Sequence, residues 1–118
     1  MNEFNLRDQL AKQQAYQAQR QALITTGLQA LNRLITVAVR PTGQGRVIGR
    51  FLLGLYNGPE YPFDLTELRG LDLAKFEDCL RVLMMDYSPE VEIHERVPNG
   101  FAIWAELVAM WAPKGARA

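Results

Sequence analysis

The chain has 118 residues, 48% of them hydrophobic, with 13 basic and 13 acidic side chains, a formal net charge of zero, one histidine and one cysteine. A chain of this length makes one domain that buries about two thirds of the surface its unfolded form exposes, without a metal or disulfide as a staple. The lone Cys79 excludes an internal disulfide and fits a reducing compartment, while a pI near 6.6 excludes the strong positive field of a typical nucleic-acid binder.

No apolar run approaches the roughly 20 residues of a membrane span. Residues 1–10 carry charge and no apolar core, so no signal peptide is expected and the protein is read as cytoplasmic, with no membrane partner. The charge is divided along the chain. Residues 1–50 hold seven cations against two acids, and residues 51–118 hold six cations against eleven acids, a split of +5 and −5. No acid lies between Asp8 and Glu60. Two readings follow: the halves fold against each other and cancel, or the basic half presents a cationic face to nucleic acid or an acidic protein.

The elements predicted in chain order are helical. Residues 9–22 are rich in Gln and Ala and uninterrupted by Pro or Gly before Gly27. Ala11, Ala15, Ala18 and Ala22 recur at spacings of four, three and four, a narrow stripe fit for self-association or a partner helix, or else simply the face of an exposed arm. After Gly27, the residues Leu28, Leu31, Leu34, Ile35 and Ala38 keep the helical period and are expected in the core, and Pro41 ends the helix by Val39 or Arg40. The region from Met1 to Val39 is either one bent helix or two meeting near Thr25, Thr26 and Gly27.

Thr42 caps the next helix, whose apolar stripe is Val47, Ile48, Phe51, Leu52 and Leu55 and whose stop is Asn57 with Gly58. Gly49 and Gly54 inside it cost roughly 1 kcal/mol each against Ala, which suggests close packing of a neighbouring backbone. Pro59, Tyr61 and Pro62 form a rigid connection. Asp64 with Glu67 reads as a capping-box pair opening a short turn to Arg69 that Gly70 closes. Asp72 caps a helix expected to bury Leu73, Phe76, Cys79, Leu80, Leu83 and Met84. Ser88 and Pro89 predict a further helix through Arg96; the rival is a hairpin turning at Asn99 and Gly100. In the last segment Trp104, Leu107, Val108 and Trp111 share a helical face, more fitting for core than for a ligand platform.

The block from Arg46 to Asp86, with RVIGRFLLGLYNGPEYPFDLTELRGLD followed by FEDCLRVLMMD, resembles a family of short uncharacterised proteins carried on bacterial integrative and conjugative elements. It spans about a third of the chain and is most specific at Phe51 to Asn57 and Pro62 to Leu65, while the Gln-rich arm lies outside it. The resemblance implies a context of mobile DNA and supplies no catalytic residue.

Chemistry-bearing constellations are sparse. His94 has Glu92 and Glu95 beside it, but the zinc-binding helix needs a second His four positions on, where Pro98 stands. Cys79 falls on the core stripe and reads as a packed thiol. Gly43, Gly45 and Gly49 lack the Lys-Ser/Thr ending of a phosphate loop. The expectation is therefore an all-α protein, a compact bundle of about five helices over residues 23–118 with a helical arm over residues 1–22. It is read as non-enzymatic, with no cofactor and no metal, an accessory or inhibitory protein of a mobile element that binds a larger protein, with homo-oligomer formation through the N-terminal helix as an option. The alternative is a nucleic-acid-binding regulator that uses Arg33, Arg40, Arg46 and Arg50, which flank the turn between two helices.

Overall fold

Residues Glu3–Ala38 form one uninterrupted α-helix, α1, 36 residues long, which resolves the choice between one helix and two. The computed structural model describes residues 3–113, so residues 1–2 of the expected arm and 114–118 of the expected helical domain lie outside it. Three more α-helices follow: α2 (Gly43–Tyr56), α3 (Leu73–Asp86) and α4 (Gly100–Trp111). Short 3-10 helices at Leu65–Gly70 and Ile93–Arg96 connect them, and no strand occurs among the described residues. The architecture is all-α, as expected.

Local signals set most boundaries. The Thr42 hydroxyl accepts from the Gly45 amide at 2.9 Å and starts α2, and the Asp72 carboxylate accepts from the Lys75 amide at 3.1 Å and starts α3, each satisfying an orphan donor of the first turn. Asp64 accepts from Thr66, at 2.9 Å from its amide and 2.7 Å from its hydroxyl. Its expected capping-box partner Glu67 turns away to Arg46, 3.2 Å off.

The core lies between the second half of α1 and the other helices. Leu31, Leu34, Ile48, Leu52, Leu53, Val82, Met85, Ile93 and Leu107 are fully buried, each contributing roughly 1.5–3 kcal/mol by leaving water. The Trp104 indole is buried and donates to the Leu52 carbonyl at 3.3 Å. Trp111 closes the other end, donating to the Ala38 carbonyl at 2.7 Å. Its ring lies directly on Gly49, where any side chain would collide with it. A tryptophan ring, and not a neighbouring backbone, accounts for that glycine. At Gly54 the nearest neighbours are the Phe63 Cβ and the Tyr61 carbonyl.

Two expectations are corrected. The buried line of α3 is Asp78, Cys79, Val82 and Met85, whereas Leu73, Leu80, Leu83 and Met84 face out at 70%, 43%, 37% and 51% exposure. The helix is rotated because Gly27 of α1 leaves room for Met85 and because Asp78 meets Arg33. Residues 88–92 are also not helical: only Ile93–Arg96 forms a 3-10 turn, opened by a capping box between Glu92 and Glu95. The Ser88 carbonyl is taken by Arg20 and the Glu90 carboxylate by Arg20 and Arg96, which holds this segment in an irregular, non-helical path. Neither is there a hairpin, since the residues after Asn99 form the helix α4 and not a strand, Asn99 standing before it in a left-handed conformation (φ 58°).

Candidate interaction surfaces

The structure brings the basic front half onto the acidic back half. Arg33 grips Asp78 with two parallel bonds, Nε to Oδ2 at 2.9 Å and Nη2 to Oδ1 at 2.8 Å, the geometry that makes guanidinium–carboxylate pairs strong. Arg81 adds a bond to the same carboxylate at 2.8 Å. The Arg33 hydrogen bonds, assisted by Arg81, hold the Asp78 carboxyl below its usual range against the opposing effect of burial. Arg46 pairs with Glu67 at 3.2 Å. Arg50 lies 4.0 Å from the same carboxylate and donates to the Trp111 carbonyl at 3.3 Å. Of the four arginines expected to form a contact face, only Arg40, exposed at the end of α1, makes no ion pair among the described residues. The charge division along the chain is thus largely answered inside the fold.

The arm presents a different surface. Side chains 5–19 of α1 are all exposed, a projection of about 22 Å at 1.5 Å per residue, and the molecule measures 60 × 29 × 26 Å. Arg20 marks where the arm meets the body. Its guanidinium bonds to both Glu90 oxygens at 3.1 and 3.0 Å and to the Ser88 carbonyl, and only 12% of its side chain is exposed. Arg96, with 7% exposed, reaches the same carboxylate at 3.2 Å.

The two sides of the arm differ. Arg20, Leu23, Gly27, Leu31 and Leu34 step by three or four residues along the side that meets α3 and the core, and Leu6, Gln9, Gln13 and Tyr16 continue that line toward the N-terminus. Ala11, Ala15, Ala18 and Ala22 lie on the opposite side of the helix, exposed throughout. Where the inner line leaves the body, Tyr16, Leu23, Leu83, Met84 and Tyr87 line an apolar groove of about 470 Å³. Tyr16 and Tyr87 are 59% and 89% exposed. Leu83 and Met84 fall on the expected core stripe of α3, so the sequence does not point to this groove directly; the three-and-four stepping from Leu6 to Arg20, in phase with Leu31 and Leu34, is its visible signal.

The single histidine sits in an aromatic cluster. The His94 ring meets Tyr56 edge-on at 5.1 Å and Phe101 at 5.4 Å, beside a cavity of about 250 Å³ that Tyr61 and Trp104 also line. Its Nδ1 is buried without a protein partner. No group of three or more His, Cys, Asp or Glu able to hold a metal ion occurs among the described residues. Cys79 is fully buried and desolvation pushes its thiol up to about 12. No helix among the described residues is long and apolar enough to cross a membrane.

A model for a family of unknown function (DUF7673) matches residues 28–112. That span covers α2, α3, α4 and the end of α1 and leaves the arm outside. No curated protein and no solved structure matches the chain.

Proposed function

Because the chain belongs to the DUF7673 family of unknown function, we propose its activity from its surfaces: a small non-enzymatic accessory or inhibitory protein that works in the cytoplasm by binding a larger protein through the arm of α1. The observation that carries this reading is the exposure of every described side chain from 5 to 19 on a long, continuous helix. A helical segment of about 15 residues whose side chains are all exposed is marginal in water, so a binding partner offsets its ordering. The outward stripe of Ala11, Ala15, Ala18 and Ala22 is the face on which a partner helix approaches closely, since small side chains let two backbones near each other. The resemblance of the Arg46–Asp86 block to proteins of integrative and conjugative elements supports a setting on mobile DNA, where the partner would belong to the element's or host's machinery.

The alternative, a nucleic-acid-binding regulator using Arg33, Arg40, Arg46 and Arg50, has less support. Three of those guanidinium groups are engaged with Asp78, Glu67 or the Trp111 carbonyl, and a phosphate would have to displace those partners.

The test is capture from host extract with and without nuclease, comparing the full chain with an Ala15→Glu/Ala18→Glu variant. Capture that survives nuclease and disappears in the variant is the expected result. Capture that needs intact nucleic acid, with affinity falling steeply as salt rises, would overturn the reading.

A further inference from the structure

We infer that the inner face of the arm, opposite the alanine stripe, is the seat of a second copy of this chain, paired antiparallel about Leu10. This goes beyond the proposed binding of a larger partner and uses the other side of the same helix.

The inference starts from where α3 stops. Arg33 meets Asp78, Gly27 meets Met85 and Arg20 meets Ser88, so α3 runs antiparallel to α1 and ends level with the region of Arg20. Toward the N-terminus the same line of α1 goes on as Tyr16, Gln13, Gln9 and Leu6, with Leu10 at its edge, and nothing among the described residues covers it. Leu6, Leu10 and Tyr16 are 50%, 49% and 59% exposed. A helix continuing from the end of α3 in the direction of α3 would extend an interface that the fold already uses.

The chain's own arm fits that place. In a two-fold pair the same patch serves both copies, each residue meeting the residue equidistant from the axis. An axis at Leu10 sets Leu10 on Leu10 and brings Leu6 of one copy toward Gln13 and Tyr16 of the other. Leu6 of each arm then approaches the near edge of the other copy's groove at Tyr16. Charge selects the direction. Asp8 and Lys12, paired with each other along the helix at 3.1 Å and with side chains 56% and 77% exposed, flank this face on the side away from Leu10, one two residues before it and one two residues after. Antiparallel pairing sets each Asp8 beside the other copy's Lys12 and joins the two pairs into one alternating cluster, whereas parallel pairing sets this charged flank against the other copy's Leu10. Gln9 and Gln13 supply amides that hydrogen-bond across the seam and fix its register.

The experiment is sedimentation equilibrium of the full chain over a concentration series. The expected result is a monomer–dimer equilibrium, from 13.4 kDa to twice that mass. A Leu6→Glu/Leu10→Glu variant should raise the dissociation constant about a hundredfold or more, roughly 3 kcal/mol, with unchanged fluorescence of Trp104 and Trp111 together as the check that the body is folded. Ala15→Glu/Ala18→Glu should leave the dimer intact, so loss of partner capture and loss of dimerisation are read separately. Orientation is read by oxidising a mixture of Leu6→Cys and Gln13→Cys chains, with Cys79 buried and out of reach. The mixed disulfide is expected to dominate. A monomer at every concentration, a dimer unaffected by the leucine changes, a dimer broken by the alanine changes, or predominant Leu6→Cys self-linkage would each overturn the inference.

Discussion

Gly27 and Met85 approach so closely that a Cβ on Gly27 would lie 2.5 Å from the Met85 Cβ and 2.8 Å from its sulfur. This contact sets the rotation of α3 against α1. Two effects oppose each other when Gly27 is replaced by Ala: helix propensity gains about 1 kcal/mol, and overpacking of a fitted contact costs about 1–3 kcal/mol. The Met85 Cβ belongs to a stiff part of the side chain, so overpacking should win and Gly27→Ala should lower stability in urea unfolding. Met85→Ala alone should cost about 2–5 kcal/mol through the cavity it leaves. The double variant should be less destabilised than the sum of the two, because the added methyl occupies part of that cavity.

Asp78 joins the two oppositely charged halves through Arg33 and Arg81. Asp78→Ala leaves both guanidinium groups without that carboxylate, but they are 56% and 44% exposed and can turn to water. The expected loss is therefore about 1–2 kcal/mol, below that of a fully buried pair. The pH dependence has a definite sign. The folded carboxyl is held below its ordinary 3.8, chiefly by the Arg33 hydrogen bonds, so its contribution is present above 3.8 and is lost as pH falls through the lower folded value. Acid unfolding of the Asp78→Ala variant should show a correspondingly weaker dependence in that range.

Much of this fold could be read from the chain because its punctuation is local. Thr42, Asp72 and the Asn57–Gly58 stop act within three or four residues of themselves, and each stands where expected. The phase of α3 could not be read, because apolar side chains at Leu73, Phe76, Leu80, Leu83 and Met84 nearly encircle it alongside Val82 and Met85. Choosing the buried line needs Gly27 and Arg33, which lie more than forty residues away. Separation along the chain also hid the fate of the arginines: Arg33 looks free until Asp78, 45 residues on, is folded onto it, and Arg46 and Arg50 until Glu67, from the next element, is. Residues 88–92 carry a genuine helix-start signal at Ser88–Pro89. Tertiary bonds from Arg20 and Arg96 override it.

Glu90 gives a direct spectroscopic test of the junction between arm and body. Hydrogen bonds from Arg20, then from Arg96, draw its carboxyl from 4.5 down to about 2. A carboxylate whose folded pKa is depressed stabilises the fold above its ordinary value, and that contribution is lost as pH falls through the folded value. Carbon-detected NMR titration should find Glu90 ionised down to about pH 2, and Arg20→Gln should move its midpoint upward. A midpoint near 4.5 in the unmodified chain would show that Arg20 does not hold the junction.

Cys79 reports on the opening of the same α1–α3 interface. Its thiol is fully buried, and desolvation, with a lesser push from the neighbouring Asp78, raises its pKa to about 12. Only the thiolate reacts with disulfide and alkylating reagents, so at neutral pH the native chain should be modified at a rate set by opening of the core. Urea that unfolds the chain should bring that rate to the level of a free thiol. Gly27→Ala, by forcing Met85 away from α1, should accelerate modification under native conditions, because Cys79 and Met85 lie on one buried line of α3. Rapid labelling of the unmodified native chain would place the thiol on the surface and contradict the packing of α3 described above.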